Sequence, residues 1–194
     1  MRRLLLLAVA LLPATAACQT PLPCEGCEAI HERPVASLTA TAVLAPPSEP
    51  GDRLVVTGRV TGRDGRTPAP GIVLYAWQTN AQGVYAADPA ATGLARDHGR
   101  LRGWVRTDGE GRYRLETIRP GPYPGLQMAA HIHIVVKQPD HPEYWIDDVV
   151  FTDDPLVTAE YRARATDRGG SGIVAPVRDA AGIWLVRRDI RLEY

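Results

Sequence analysis

At 194 residues, with 45% hydrophobic and 23% charged side chains, the chain can build one domain with a real core plus a short appendage, and its composition excludes wholesale disorder. Basic and acidic residues number 22 each, so the formal net charge is zero. With no basic excess and no Lys/Arg-rich run interleaved with stacking aromatics, nothing marks a nucleic-acid footprint.

The chain opens with Arg2 and Arg3, the apolar stretch Leu4 to Leu12, and small residues from Pro13 to Cys18. That order of charged, apolar and small residues is the grammar of a secretory leader, expected over residues 1–17. The apolar run is too short to span a bilayer, and no later segment is long and apolar enough to do so. The expected product is exported to the periplasm. Thr15-Ala16-Ala17-Cys18 also resembles a bacterial lipobox, in which Cys18 would become the lipidated first residue and anchor the protein to a membrane; ordinary cleavage within the Ala-rich stretch is the alternative.

Residues 18–50 read as a tether or extended arm. The three cysteines are Cys18, Cys24 and Cys27. If Cys18 carries lipid, Cys24 and Cys27 form an isolated pair in an oxidising compartment, and a small disulfide loop is the plain reading. A thioredoxin-like role would need the pair to open a helix, and a zinc site would need two further ligands where only His31 is near. From about Ala29 to Pro50 the sequence is Ala/Thr/Pro-rich with weak periodicity.

The domain proper is expected over residues 51–194. Short β-branched or aromatic runs occupy Leu54 to Val60, Ile72 to Thr79, Trp104 to Thr107, Arg112 to Ile118, His131 to Lys137, Trp145 to Thr152, Ile173 to Val177 and Ile183 to Leu192. Gly62-Arg63-Asp64-Gly65, Asp108-Gly109-Glu110-Gly111 and Pro120-Gly121-Pro122 supply the turn residues between them. Only Val157 to Ala165 looks helical. The pattern predicts an all-β fold: an antiparallel β-sandwich with long connecting loops and at most one short helix.

His131-Ile132-His133 heads a strand-like run. Side chains two apart point to the same face, so both imidazoles can converge on one ion while Ile132, Ile134 and Val136 face the core. Alone, such a pair is more often two hydrogen-bonded histidines. No Cys, and no carboxylate at facial-triad spacing, completes a zinc or iron(II) site around it. Two tyrosines stand out instead. Tyr123 lies in the rigid Arg119-Pro120-Gly121-Pro122-Tyr123-Pro124 loop, and Tyr85 follows Gly83-Val84. A phenol titrates near pH ~10 and becomes a ligand at neutral pH only where a hard, highly charged cation displaces its proton. Iron(III) is the obvious candidate, although each tyrosine taken singly is better explained as a half-buried strand or loop aromatic. His98 and His141 read as loop residues outside any site.

The ordered set Gly71-Ile72-Val73-Leu74-Tyr75-Ala76-Trp77-Gln78-Thr79-Asn80 with Gly83-Val84-Tyr85, Arg106-Thr107-Asp108-Gly109, Thr117-Ile118-Arg119-Pro120-Gly121-Pro122-Tyr123-Pro124 and Ala130-His131-Ile132-His133 resembles the intradiol ring-cleavage dioxygenase family. Gly169-Gly170-Ser171-Gly172-Ile173, Arg187-Arg188-Asp189-Ile190 and the Cys24/Cys27 pair resemble its short secreted bacterial branch. The resemblance implies one Fe(3+) per chain held by Tyr85 and His131 as equatorial ligands and Tyr123 and His133 as axial ones. It further implies a catechol-type substrate and O2 as reactants, a muconate-type product, and release of Tyr123 as the base that takes a substrate proton. It does not specify an oligomeric state.

One departure from the family pattern touches the substrate pocket. The family commonly has Arg three residues before the first His, where this chain has Met128. Arg102 and Arg119 are candidates to supply the missing charge. The competing reading is an exported transthyretin-like β-sandwich, or an iron- or catecholate-binding lipoprotein, with little or no turnover.

Overall fold

The computed structural model describes residues 26–89, 91 and 93–194. The leader, Cys18 and Cys24 lie outside the described residues. Cys27 is disulfide-bonded, and its partner lies outside them as well.

Two mixed sheets face each other. The first contains β1 (Thr41–Val43), β5 (Arg112–Ile118), β2 (Arg53–Thr61), β11 (Trp184–Arg187) and β10 (Val177–Arg178) in that order, with β12 (Ile190–Arg191) also on β2. The second runs β4 (Arg102–Arg106), β3 (Val73–Gln78), β6 (His131–Lys137), β8 (Val149–Phe151) and β9 (Ile173–Val174), with β7 (Tyr144–Trp145) also on β6. Leu54, Val56, Val60 and Leu115 from the first sheet meet Leu74, Ala76, Ile132, Ile134, Val136 and Phe151 from the second in one buried core. At about 1.5–3 kcal/mol for each fully buried aliphatic or aromatic side chain, this layer is the main driving force for the sandwich.

Alternation along β6 and β3 sends the other side chains outward. On β3 these are Val73, Tyr75 and Trp77, yet every β3 residue is buried. The cover comes from two 3-10 turns, Cys27–Glu32 and Leu94–His98, whose Cys27, Ala29, Ile30 and Ala95 close over Tyr75, Trp77 and Val135. The segment expected as a tether or arm is therefore folded onto the domain from Cys27, and its Thr41–Val43 is a strand paired with β5. The single helix, α1, spans Ala159–Arg164, with Thr158 as its cap.

The sheets depart from the antiparallel expectation at their margins. β1–β5, β11–β2, β12–β2 and β8–β9 pair in parallel, while β2–β5, β3–β4, β3–β6 and β6–β8 are antiparallel. The parallel partners lie far apart in sequence and are joined by no tight turn, so no local signal announces them. Three expected strands are also broken. Trp145 to Thr152 splits into β7 and β8 because the Asp147 carboxylate accepts hydrogen bonds from the Thr166 hydroxyl and the Asp167 N–H, while Asp148 turns toward β6. Ile183 to Leu192 splits where Arg188 turns inward, and Ile173 to Val177 splits before Pro176, which has no N–H for a ladder.

Candidate metal centre

His131 and His133 stand at the head of β6 on the face away from the core, as the alternation requires. Tyr85 and Tyr123 reach the same point from two loops held in contact by a glycine. Gly83 has φ 78°, and a Cβ there would lie 1.8 Å from the Pro122 carbonyl oxygen, so no other residue lets the two loops approach this closely. The two tyrosine hydroxyls are 2.5 Å apart. From the Tyr85 hydroxyl to His133 Nε2 is 3.0 Å, from the Tyr123 hydroxyl to His131 Nε2 is 3.2 Å and to His133 Nε2 is 3.4 Å. The two Nε2 atoms are 3.1 Å apart. Three chain segments thus place two nitrogens and two oxygens around one point.

The hydrogen bonds behind the imidazoles fix what these atoms offer. His131 Nδ1 lies 2.7 Å from the Ala129 carbonyl, which can only accept, so the proton is on Nδ1 and Nε2 carries a lone pair. His133 Nδ1 lies 3.0 Å from Asp148 Oδ1, with the same consequence. Two lone pairs therefore face each other at 3.1 Å. In the metal-free cluster the two phenol protons can satisfy them; a cation with bonds of about 2 Å to each donor would place neighbouring donors roughly 3–4 Å apart, close to the spacing observed. Burial lowers the His131 pKa and keeps that imidazole neutral, while burial and the Tyr123 hydroxyl push the Tyr85 phenol well above its usual value, opposed by a hydrogen bond from Trp77. Without a cation Tyr85 stays protonated; with a hard trivalent one, the donor set of two phenolates and two neutral imidazoles fits.

Asp148 is a residue the sequence reading missed. His131, His133 and Asp148 offer ligand atoms within 4.8 Å of one another, but the Asp148 oxygen faces Nδ1 of His133 and acts on the centre through that ring. A carboxylate on the far nitrogen orients the imidazole and raises its basicity. The one signal for it was an acidic pair, Asp147-Asp148, inside an otherwise apolar run. Asp148→Asn should lower metal affinity by about 10–100-fold while leaving the fold intact, measured by competitive titration with a chelator. An unchanged affinity would mean that Asp148 is a bystander.

Trp77, the cross-strand neighbour of His133, stacks on it with ring centroids 4.7 Å apart. His98, expected as a loop residue, stacks on Trp77 at 4.1 Å and lies 2.8 Å from the Tyr75 hydroxyl, so it belongs to the layer beneath the cluster. His141 stacks on Tyr194, away from it.

Arg102 and Arg119 are both committed elsewhere. Arg102 donates to the Gly99 carbonyl and to Asp88 Oδ2 at 3.0 Å, with its Nε buried and unpartnered among the described residues. Arg119 forms two 2.8 Å hydrogen bonds to Asp153 and lies between Phe151 and Trp184. Met128 is 46% exposed on the loop between Tyr123 and β6. A cleft of about 420 Å³ opens beside Asp148, lined among others by Trp145, Tyr161, Arg164 and Ile173.

A family model described as "Dioxygenase" matches residues 25–180. The chain is 34% identical to the protocatechuate 3,4-dioxygenase beta chain of Burkholderia cepacia over 121 residues, which covers 55% of this chain and 48% of the relative. It is 31% identical to catechol 1,2-dioxygenase 2 of Acinetobacter lwoffii over 176 residues, covering 74% and 60%. It thus spans between about half and three-fifths of the length of these two relatives. Among solved structures, the dioxygenase domain of a dioxygenase and carbohydrate-binding protein fusion from Streptomyces sp. SirexAA-E superposes with a TM-score of 0.59 at 26% identity, covering 83% of this chain and 94% of that one.

Proposed function

Because this chain belongs to the intradiol ring-cleavage dioxygenase family, we propose that it is a non-haem iron(III) dioxygenase, with one ion per chain, that opens a catechol-type ring between its two hydroxyl-bearing carbons and yields a muconate-type dicarboxylic acid. The observation that carries this reading is the convergence of the Tyr85, Tyr123, His131 and His133 donor atoms, with contacts of 2.5 to 3.4 Å among them. A bound ferric ion would supply the Lewis acidity that makes a chelated catecholate open to O2.

The chain's own groups have separable tasks. His131 and His133 are held by Ala129 and Asp148 in the tautomer that presents Nε2. Tyr123 and His133 each lie within 3.4 Å of the other three donors; Tyr123 is the one carried on a loop rather than a strand, so its departure would open room for a bidentate substrate, and its freed oxygen can take a substrate proton. Trp77, itself buried, stacks on His133 and backs that ring with an apolar face. Met128 is apolar and Arg102 and Arg119 are committed to Asp88 and Asp153, so none of these three offers a guanidinium to a substrate carboxylate, which favours apolar catechols over carboxylated ones unless Arg164, on the cleft beside Asp148, supplies that charge.

The test is an aerobic spectrum of purified, iron-loaded protein with catechol, protocatechuate and hydroxyquinol, followed by O2 uptake. Phenolate-to-iron(III) charge transfer should colour the resting protein and shift on chelation, with O2 consumed in step with ring opening. Met128→Arg should raise turnover of protocatechuate relative to catechol. A colourless or zinc-filled protein from iron-replete cells refutes the assignment, and a spectral shift without O2 uptake makes the protein a catecholate binder.

A further inference from the structure

Beneath the donor cluster, the outer face of the second sheet carries a line of stacked rings. Trp77 stacks on His133 at 4.7 Å. Tyr75, two residues back on the same face, stacks on Trp77 at 5.0 Å. Trp104, opposite Tyr75 on β4, stacks on Tyr75 at 4.7 Å. Beyond Trp104 the Arg33 guanidinium sits 5.6 Å from the ring centroid, and the indole N–H donates to the Ala29 carbonyl at 2.9 Å. Trp104 is partly exposed and Arg33 exposed, so the line runs unbroken from an imidazole of the cluster to the surface.

Stacked aromatics by themselves are ordinary packing. What sets this line apart is the partner of Tyr75. That residue is fully buried, and its hydroxyl meets Nδ1 of His98 at 2.8 Å. A buried phenol gives up an electron readily only if its proton leaves at the same time, because an oxidised phenol is a strong acid. Nδ1 of His98 is placed to take that proton, in the tautomer that leaves Nδ1 unprotonated, and burial lowers the pKa of the ring and favours its neutral form.

We propose that Tyr75, Trp77 and Trp104 form a hole relay that carries oxidising equivalents from the donor cluster to the surface, with His98 as the proton acceptor of Tyr75. Its use rests on the iron reading: with iron held by Tyr85, Tyr123, His131 and His133, hydrogen peroxide arriving without substrate would be reduced to two waters by two electrons, and the relay would supply these one at a time. One electron from Tyr75 passes through Trp77 to fill the vacancy at the cluster, and the hydroxyl proton moves to His98. A neutral phenoxyl and an imidazolium remain. Trp104 then returns an electron to Tyr75 as His98 returns the proton, and the Trp104 radical cation is reduced by an external one-electron donor of the thiol class.

The test has two arms, both on the full chain. In the first, iron-loaded protein is exposed to hydrogen peroxide without substrate, radicals are trapped for electron paramagnetic resonance, and oxidised residues are mapped by mass spectrometry. In the second, protein as purified is oxidised from solution by photogenerated ruthenium(III) tris-bipyridine, which needs no iron in the site. Tyrosyl signal at Tyr75 and oxidation of Trp104 are expected in both. Tyr75→Phe, which keeps the ring, should abolish Trp104 oxidation in the peroxide arm and move damage to Trp77 and Tyr85. His98→Gln should abolish the tyrosyl signal at Tyr75 with the melting curve little changed. An oxidation map unaltered by Tyr75→Phe, or Trp104 oxidation in the ruthenium arm with no Tyr75 radical, overturns the relay. A protein that takes up no iron sinks the iron reading, and the ruthenium arm still decides the relay.

Discussion

Replacing either His131 or His133 with alanine should give a folded protein that retains no iron and no visible colour. Each substitution removes one of two lone pairs that face each other at 3.1 Å, and the remaining nitrogen with two phenols is a poor match for a hard trivalent ion. The two phenol protons supply the competition. In the metal-free cluster they satisfy the imidazoles, and burial holds the Tyr85 phenol protonated throughout the physiological range. Metal uptake must release them, so retention weakens as pH falls and strengthens as it rises. With one imidazole gone, the protons win at any working pH. The measurements are iron per chain by elemental analysis, the visible spectrum, and a thermal melt to establish folding. His141→Ala, whose ring stacks on Tyr194 at 4.8 Å, should keep full iron. Full iron in His131→Ala would remove this cluster as the binding site.

The part of the centre that could be read from sequence is the part governed by local rules. The two-residue period of a strand puts His131 and His133 on one face whatever the rest of the chain does, and the Pro120-Gly121-Pro122-Tyr123-Pro124 run advertises a rigid turn. That this loop touches the one bearing Tyr85 is a tertiary fact, but the glycine that permits it was already a marked residue. Asp148 was hidden for the opposite reason. It lies in a run that looks like one strand, and only the departure of Asp147 to cap residues 166 and 167 turns it toward His133. The buried sheet face was hidden as well. The 27–32 segment is too weakly patterned to announce that it covers Tyr75 and Trp77, because its apolar residues, Cys27, Ala29 and Ile30, find their partners on a strand more than 40 positions away. Arg102 and Arg119 looked available because charge is visible in sequence and pairing is not; their partners Asp88 and Asp153 are 14 and 34 residues distant.

Arg188→Met should lower stability by about 3–5 kcal/mol, through the several buried carbonyls it strands. Arg188 is fully buried, and its partners are backbone carbonyls. Nη1 donates to Gly169 at 3.0 Å and to Asp189 at 2.7 Å, and Nη2 reaches Asp147 at 3.3 Å and Arg168 at 3.5 Å. The Tyr113 hydroxyl donates to the Arg188 carbonyl at 2.6 Å, and Gly58 lies so close that a Cβ there would sit 1.9 Å from the same oxygen, which fixes the chain at this point. Methionine fills most of the volume and offers no donor. Each stranded buried carbonyl costs roughly 1–3 kcal/mol, while relief of the guanidinium's own desolvation offsets part of the sum. For a domain of this size the loss corresponds to a fall in melting temperature of roughly 6–20 °C. A second effect separates this residue from an ordinary core position. Arg188 ties down Asp147, the neighbour of the carboxylate that orients His133, so metal affinity should fall by about tenfold at temperatures where the variant is still folded. A melt within a degree or two of the parent would mean that the 167–172 loop and the break between β7 and β8 hold themselves, and that the buried guanidinium is not what joins the end of the chain to the metal centre.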